Sequence, residues 1–95
     1  MILKIRPRLP IGSAVEIKGR QLAPMINIFD NLDEIELVLA AAGIFSEEMT
    51  VDGRTGTIHF GKGSAKIGDW LVEELGNISI YPSLDAVRDK FDVIV

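Results

Sequence analysis

His59 is the only histidine in the chain, and no cysteine accompanies it. A general base or a metal centre needs convergent partners, and here no second nitrogen or sulfur ligand exists. Alternation with Ile58 and Phe60 places His59 on the exposed face of a strand, where a solvated imidazole is expected. The run Gly56-Thr57-Ile58-His59-Phe60-Gly61-Lys62 has the spacing that opens a phosphate-binding loop. Gly63 then stands where Ser or Thr would hold Mg²⁺, and the flanks read strand–turn–strand, without the helix N-terminus that attracts phosphate. Phosphate binding is therefore rejected. Glu47-Glu48 and Glu73-Glu74 are neighbours in sequence, so in strands their side chains point to opposite faces and make no two-carboxylate site. No nucleophile stands beside a base. The residue types predict a non-enzyme with no catalytic residue, no cofactor and no metal.

Charge is the stronger signal. Residues 1–29 carry Lys4, Arg6, Arg8, Lys18 and Arg20 against Glu16, a balance of +4. Residues 30–52 carry Asp30, Asp33, Glu34, Glu36, Glu47, Glu48 and Asp52 with no base, a balance of −7. If the first two strands pair, Lys4, Arg6, Lys18 and Arg20 share a face, which raises nucleic-acid binding. That stripe has no interleaved aromatics for base stacking, and the pI of about 4.8 opposes nonspecific DNA affinity. The asymmetry has two readings: an acidic helix face and basic strand edges that are simply solvated, or an acidic surface that meets a basic protein partner.

The elements that position these groups read clearly in places. Ninety-five residues with 47% hydrophobic content make a single domain, 1–95, with enough apolar material for one core. The first residues, Met1 to Arg6, are too interrupted by charge for a signal peptide, and no apolar run approaches the ~20 residues that cross a bilayer. A cytoplasmic protein with no membrane contact is expected. Leu3 and Ile5 alternate with Lys4 and Arg6 in a first strand, broken by Pro7, Pro10 and Gly12. Val15 to Lys18 form a second, closed by Gly19-Arg20. Leu22 to Phe29 is ambiguous between a helical turn opened by Pro24 and a continuing strand. If the segment protrudes, Met25, Ile26, Ile28 and Phe29 make an exposed apolar patch; the preferred reading has them seal one end of the sheet.

Leu32, Ile35, Val38, Leu39 and Ala42 fall on one helical face, predicting a helix from Asn31 to Ala42. Asp30 or Asn31 caps it, and Gly43 sits at the left-handed C-terminal position. From Ile44 the period becomes two. Met49 and Val51 precede a turn through Asp52-Gly53 and Gly56, and Ile58 and Phe60 follow it. Gly61 to Ser64 turn the chain again. Ala65 to Val72 read as one strand interrupted at Gly68-Asp69, and Ile78 to Tyr81 pair back across Gly76-Asn77. Pro82 ends that strand, Ser83 caps a short helix carrying Leu84, Val87 and Phe91, and Val93 to Val95 add an edge strand. The class is α+β: a mainly antiparallel sheet packed against one longer helix, with a short C-terminal helix. Asp69 is expected to bond nearby backbone N–H groups, and Trp70 to anchor the core.

Gly68-Asp69-Trp70-Leu71-Val72, followed by Ile80-Tyr81-Pro82 and Phe91, resembles small uncharacterised phage and prophage proteins. Those end in G-D-W-[IV]-[IV], then G-x-[FY]-x-P, then an aromatic-bearing helix. Their front half is similar in a V-E-[VI] strand like Val15-Glu16-Ile17, a helix ending in Gly like the one closing at Gly43, and a strand pair like Val51 to Ile58. The resemblance covers most of residues 13–94 and is specific in the C-terminal third. The chain departs from it at the basic entry, at Leu22–Phe29 and in a slightly shorter last helix. It implies mobile-element origin and makes Gly68, Asp69, Trp70, Tyr81, Pro82 and Phe91 a folding motif; no catalytic residue is inherited.

The expected function is non-catalytic binding of a host protein or complex, as an inhibitor or modulator. A host-defence assembly such as a CRISPR effector is one such target. Asp33, Glu36, Glu47, Glu48, Asp52 and Arg54 are the expected contact residues. The alternative is an accessory protein of phage assembly that forms a homo-oligomer through an exposed sheet edge. Nucleic-acid binding through the basic N-terminal strands is the remote alternative.

Overall fold

Three consecutive apolar residues, Trp70-Leu71-Val72, cannot share one side of a strand, so a strand carrying them must be covered on both faces. The computed structural model, which describes residues 1–6, 12–61 and 63–94, places them in this way. All three are buried, with Leu71 in one apolar cluster and Trp70 and Val72 in another. In chain order the elements are β1 (Ile2–Arg6), β2 (Gly12–Glu16), β3 (Gly19–Ala23), β4 (Ile26–Phe29) and α1 (Leu32–Ala41). A 3-10 turn at Ser46–Glu48 leads to β5 (Met49–Asp52), β6 (Thr57–Phe60) and β7 (Gly63–Lys66). Then follow β8 (Trp70–Glu74), β9 (Asn77–Tyr81), α2 (Leu84–Lys90) and β10 (Asp92–Ile94).

The main sheet has the order β10-β1-β2-β8-β9, antiparallel throughout, with Leu71 opposite Val15 on one side and Ile80 on the other. On one face, Val15, Ile17 and Leu71 meet Ile35, Val38 and Leu39 of α1 and Ile58, Phe60 and Ala65 of the β5-β6-β7 meander. On the other face, Leu3, Ile5, Ala14, Trp70 and Val72 meet Val87 of α2 and Phe91, whose ring stands edge-on to Tyr81 at 5.9 Å. The domain is thus the expected α+β fold, with antiparallel sheets, one longer helix and a short C-terminal one. Among the described residues no helix is long and apolar enough to cross a membrane.

Local chemistry fixes the ends of the helices. Gly43 takes φ +79°, its N–H bonds the Ala40 carbonyl, and Ile44 N–H bonds that of Leu39, which together make a Schellman closure. Ser83 Oγ accepts from Ala86 N–H at 3.2 Å and caps α2. Asn31 precedes α1, yet its side chain does not cap it. Its Oδ1 accepts from Lys18 N–H at 3.0 Å and its Nδ2 donates to the Glu16 carbonyl at 2.6 Å. The amide continues β2's hydrogen bonding where the strand ends and bolts α1 to the main sheet. Asp69 Oδ2 accepts from Lys66 N–H at 3.1 Å, the local backbone bond expected of it.

Several expectations change. Gly12 opens β2 rather than breaking the chain, because a Cβ there would collide with the Glu73 carbonyl oxygen across the strand pair. Ala65–Val72 is two strands in two sheets: β7 belongs to the meander, and the turn at Ile67–Gly68, with Gly68 at φ +100°, redirects the chain into β8. Gly63 and Ser64 are strand, paired with Phe60 and His59. The β8–β9 turn is Leu75-Gly76, both at positive φ as in a type I′ turn, and Asn77 is already strand. Glu47 and Glu48 lie in the 3-10 turn instead of a strand. The Pro7–Pro10 break, Arg8, Lys62 and Val95 fall outside the described residues.

Leu22–Phe29 is neither a helical turn nor a seal for the sheet. Gly19 to Phe29 form a separate two-stranded ribbon, β3–β4. Pro24 fixes the first turn position and Met25 takes φ +62° at the second, the pattern of a type II turn. Such turns splay the strands, and the ladder shifts register between Gln21 and Ala23. Only Phe29 reaches the core; Leu22, Met25, Ile26 and Ile28 stay exposed.

Candidate protein-binding surface

The apolar stripe of α1 turns Ile35, Val38 and Leu39 inward, so residues at the opposite spacing, Asp33, Glu36, Leu37 and Ala40, face out. Leu37 is the anomaly, a large apolar side chain 64% exposed among acids. The Schellman closure reverses the chain, and the backbone bond from Glu48 N–H to the Phe45 carbonyl curls it into the 3-10 turn. That path brings Phe45, 54% exposed, and Glu47 alongside the outer face of α1. The result is an open groove of about 530 Å³ with an apolar floor of Leu37, Ala40 and Phe45 and a rim of Asp33, Glu36 and Glu47. Among the described residues no basic side chain lines it.

Three of the six expected contact residues therefore meet in one place. Glu48 shares the 3-10 turn and is exposed, but it does not line the groove. Asp52 ends β5, about 10 Å along the strand from Met49, and Arg54 follows in the turn. There Asp52 Oδ1 accepts from Arg54 N–H at 2.9 Å, and this bond, with help from Thr55 and the nearby His59, holds the carboxyl below its ordinary value. Asn27 of β4 braces the same turn, donating to the carbonyls of Gly53 and Arg54 at 3.1 and 3.2 Å. Asp52 and Arg54 thus build a turn, at a distance from the acidic groove.

The other sequence motifs divide in the same way. Trp70 is 7% exposed and edges a shallow cleft of about 310 Å³ with Leu3, Lys18 and Arg88. Tyr81 and Phe91 pack against each other on the α2 face, Pro82 follows β9, and Gly68 turns the chain. The basic residues do not form a stripe. Leu3 and Ile5 face α2, which turns Lys4 to the opposite face, while Lys18 borders the Trp70 cleft on the α2 face. Arg20 lies in the β3–β4 ribbon and pairs with Asp30 at 3.1 Å. His59 is exposed between Thr50 and Ser64 on neighbouring strands. Among the described residues no group of three potential ligands is placed to hold a metal ion.

Two floor residues, Leu37 and Phe45, were not legible as a site. Leu37 left a trace, since it falls off the helix's apolar face beside Glu36 and one turn after Asp33, whereas Phe45 falls in the period-two stretch from Ile44, which does not point to the helix. The sequence matches no family model and no curated protein, and the fold matches no solved structure.

Proposed function

We propose that the protein is a non-catalytic binding module that holds a basic surface of another protein in the groove between α1 and the 3-10 turn. The observation that carries this reading is the pairing of two exposed large apolar residues, Leu37 and Phe45, with a rim of three acids and, among the described residues, no base. What distinguishes the groove is that two large apolar side chains lie side by side within an acidic surface, as a partner site would have them. Covering both would contribute about 1.5–3 kcal/mol each, and the rim would steer and orient a cationic partner. Arg and Lys side chains suit this geometry, because their alkyl stems lie on an apolar floor while their charged ends reach carboxylates.

The resemblance to phage and prophage proteins supports a partner in a bacterial host. The protein then acts in the host cytoplasm as an inhibitor or modulator, and a defence complex whose basic surface binds nucleic acid is the fitting target class. The test is affinity purification of the tagged protein from a bacterial lysate at low and high salt, beside the triple variant D33N/E36Q/E47Q. One protein or complex retained at low salt, released at high salt and missed by the variant is the expected result. Equal capture by the neutralised variant would refute the reading.

A further inference from the structure

Among the described residues, the outer edge of β9 is the least protected strand edge. Every other strand with a free edge carries a charge within it: Asp92 in β10, Asp52 in β5, Lys66 in β7 and Arg20 in β3. β4 is uncharged, but its edge is covered by the turn that bonds Asn27. β9 reads Asn77-Ile78-Ser79-Ile80-Tyr81, with no charge, no proline and an unbroken register against β8. Among the described residues its backbone bonds only to β8. Charges, prolines and bulges are the devices by which sheet edges avoid pairing, and β9 lacks all three.

We propose that β9 pairs antiparallel with β9 of a second copy of this chain, giving a two-fold dimer with a continuous ten-stranded sheet. The sequence is self-complementary about Ser79. A two-fold axis there sets Ile78 opposite Ile80 of the other copy, twice, and Asn77 opposite Tyr81, twice. β-branched pairs on one face are the favourable cross-strand combination, and no like charges oppose each other in a chain of net charge −4. Ile78 and Ile80 also line an apolar groove of about 460 Å³, shared with Ile44 and Phe60, beside the β9 edge. The second copy's Ile80 closes the mouth of that groove. A five-residue strand contributes a footprint only about 17 Å long, the small end of specific interfaces, so the association is weak and depends on concentration.

Sedimentation equilibrium across about 5 to 300 µM covers the range of weak association. The weight-average mass should climb from 10.4 kDa toward twice that value. Ile80→Lys, at a position 39% exposed, places a charge on the edge and should weaken self-association at least about tenfold. Leu37→Glu, in the α1 groove, should leave it unchanged. On the unaltered protein, amide hydrogen exchange should show protection in β9 that grows with concentration. A mass fixed at 10.4 kDa throughout, including the case where β9 takes up only a foreign extended peptide, would overturn the proposal. So would a dimer indifferent to Ile80→Lys with no added protection in β9.

Discussion

Asn31 is the one buried polar or charged residue among those described, at 5% exposure, and both ends of its amide are used. Asn31→Ala would strip partners from the Lys18 N–H and the Glu16 carbonyl at once. The expected loss is about 2 kcal/mol in urea unfolding, since one of the two groups can regain water. Leu75 argues in the other direction. It holds φ +52° while 69% exposed, so its side chain gains little from folding and its backbone is strained. Leu75→Asn creates the Asn-Gly pair that a type I′ turn favours and should stabilise by about 0.5–1 kcal/mol. Thermal denaturation would register this as a higher Tm, roughly 4–8 °C per kcal/mol in a domain of this size.

One carboxyl contributes to the acid side of stability: Asp52 is held below its ordinary value chiefly by the hydrogen bond from the Arg54 N–H. A carboxyl depressed in the folded state contributes stability that is present above its unfolded value and is lost as pH falls through the folded one. The urea midpoint should therefore drop from the ordinary carboxylate range downward, and Asp52→Asn should flatten part of that drop. An unchanged acid limb in Asp52→Asn would count against the turn bond seen here.

The elements show the same dependence on local bonds. α2 has seven residues, too short to be stable unaided, and it relies on the Ser83 cap and on Val87 packed against β8. Ser83→Ala should cost about 1 kcal/mol, read from the urea midpoint. α1, its Gly43 closure, the β5–β6 hairpin and α2 were legible because capping residues and hydrophobic period agree within a few positions. The β3–β4 ribbon was not, because Pro24-Met25 is a poor turn signature: Met occupies a positive-φ position usually given to Gly or Asn. The split of Ala65–Val72 between two sheets was equally hidden, since both stretches are apolar enough to read as one strand and only Gly68 marks the change of direction. The groove was half legible: its acids stand out in the charge count, while its floor depends on a chain reversal that brings Phe45 beside Leu37.

At the scale of the whole molecule, the main sheet separates two cores and the binding features sit apart from both. The acidic groove lies on the solvent side of α1, the exposed β9 edge at the margin of the main sheet, and the apolar β3–β4 ribbon elsewhere again. Leu71 is the residue on which this arrangement turns, fully buried between β2 and β9 and beneath α1. Leu71→Ala should cost about 2–5 kcal/mol and loosen every surface together, whereas changes in the groove should alter binding alone.

Site-resolved photo-crosslinking in living bacteria tests the binding surface most directly. A photoreactive amino acid replaces Leu37 in one version of the protein and Asp85, on α2, in another. The expected result is one discrete heterologous adduct from position 37, diminished when Glu36 and Glu47 are neutralised, and none from position 85. No adduct at 37, or the same adducts from both positions, would contradict the assignment of the groove as the partner site.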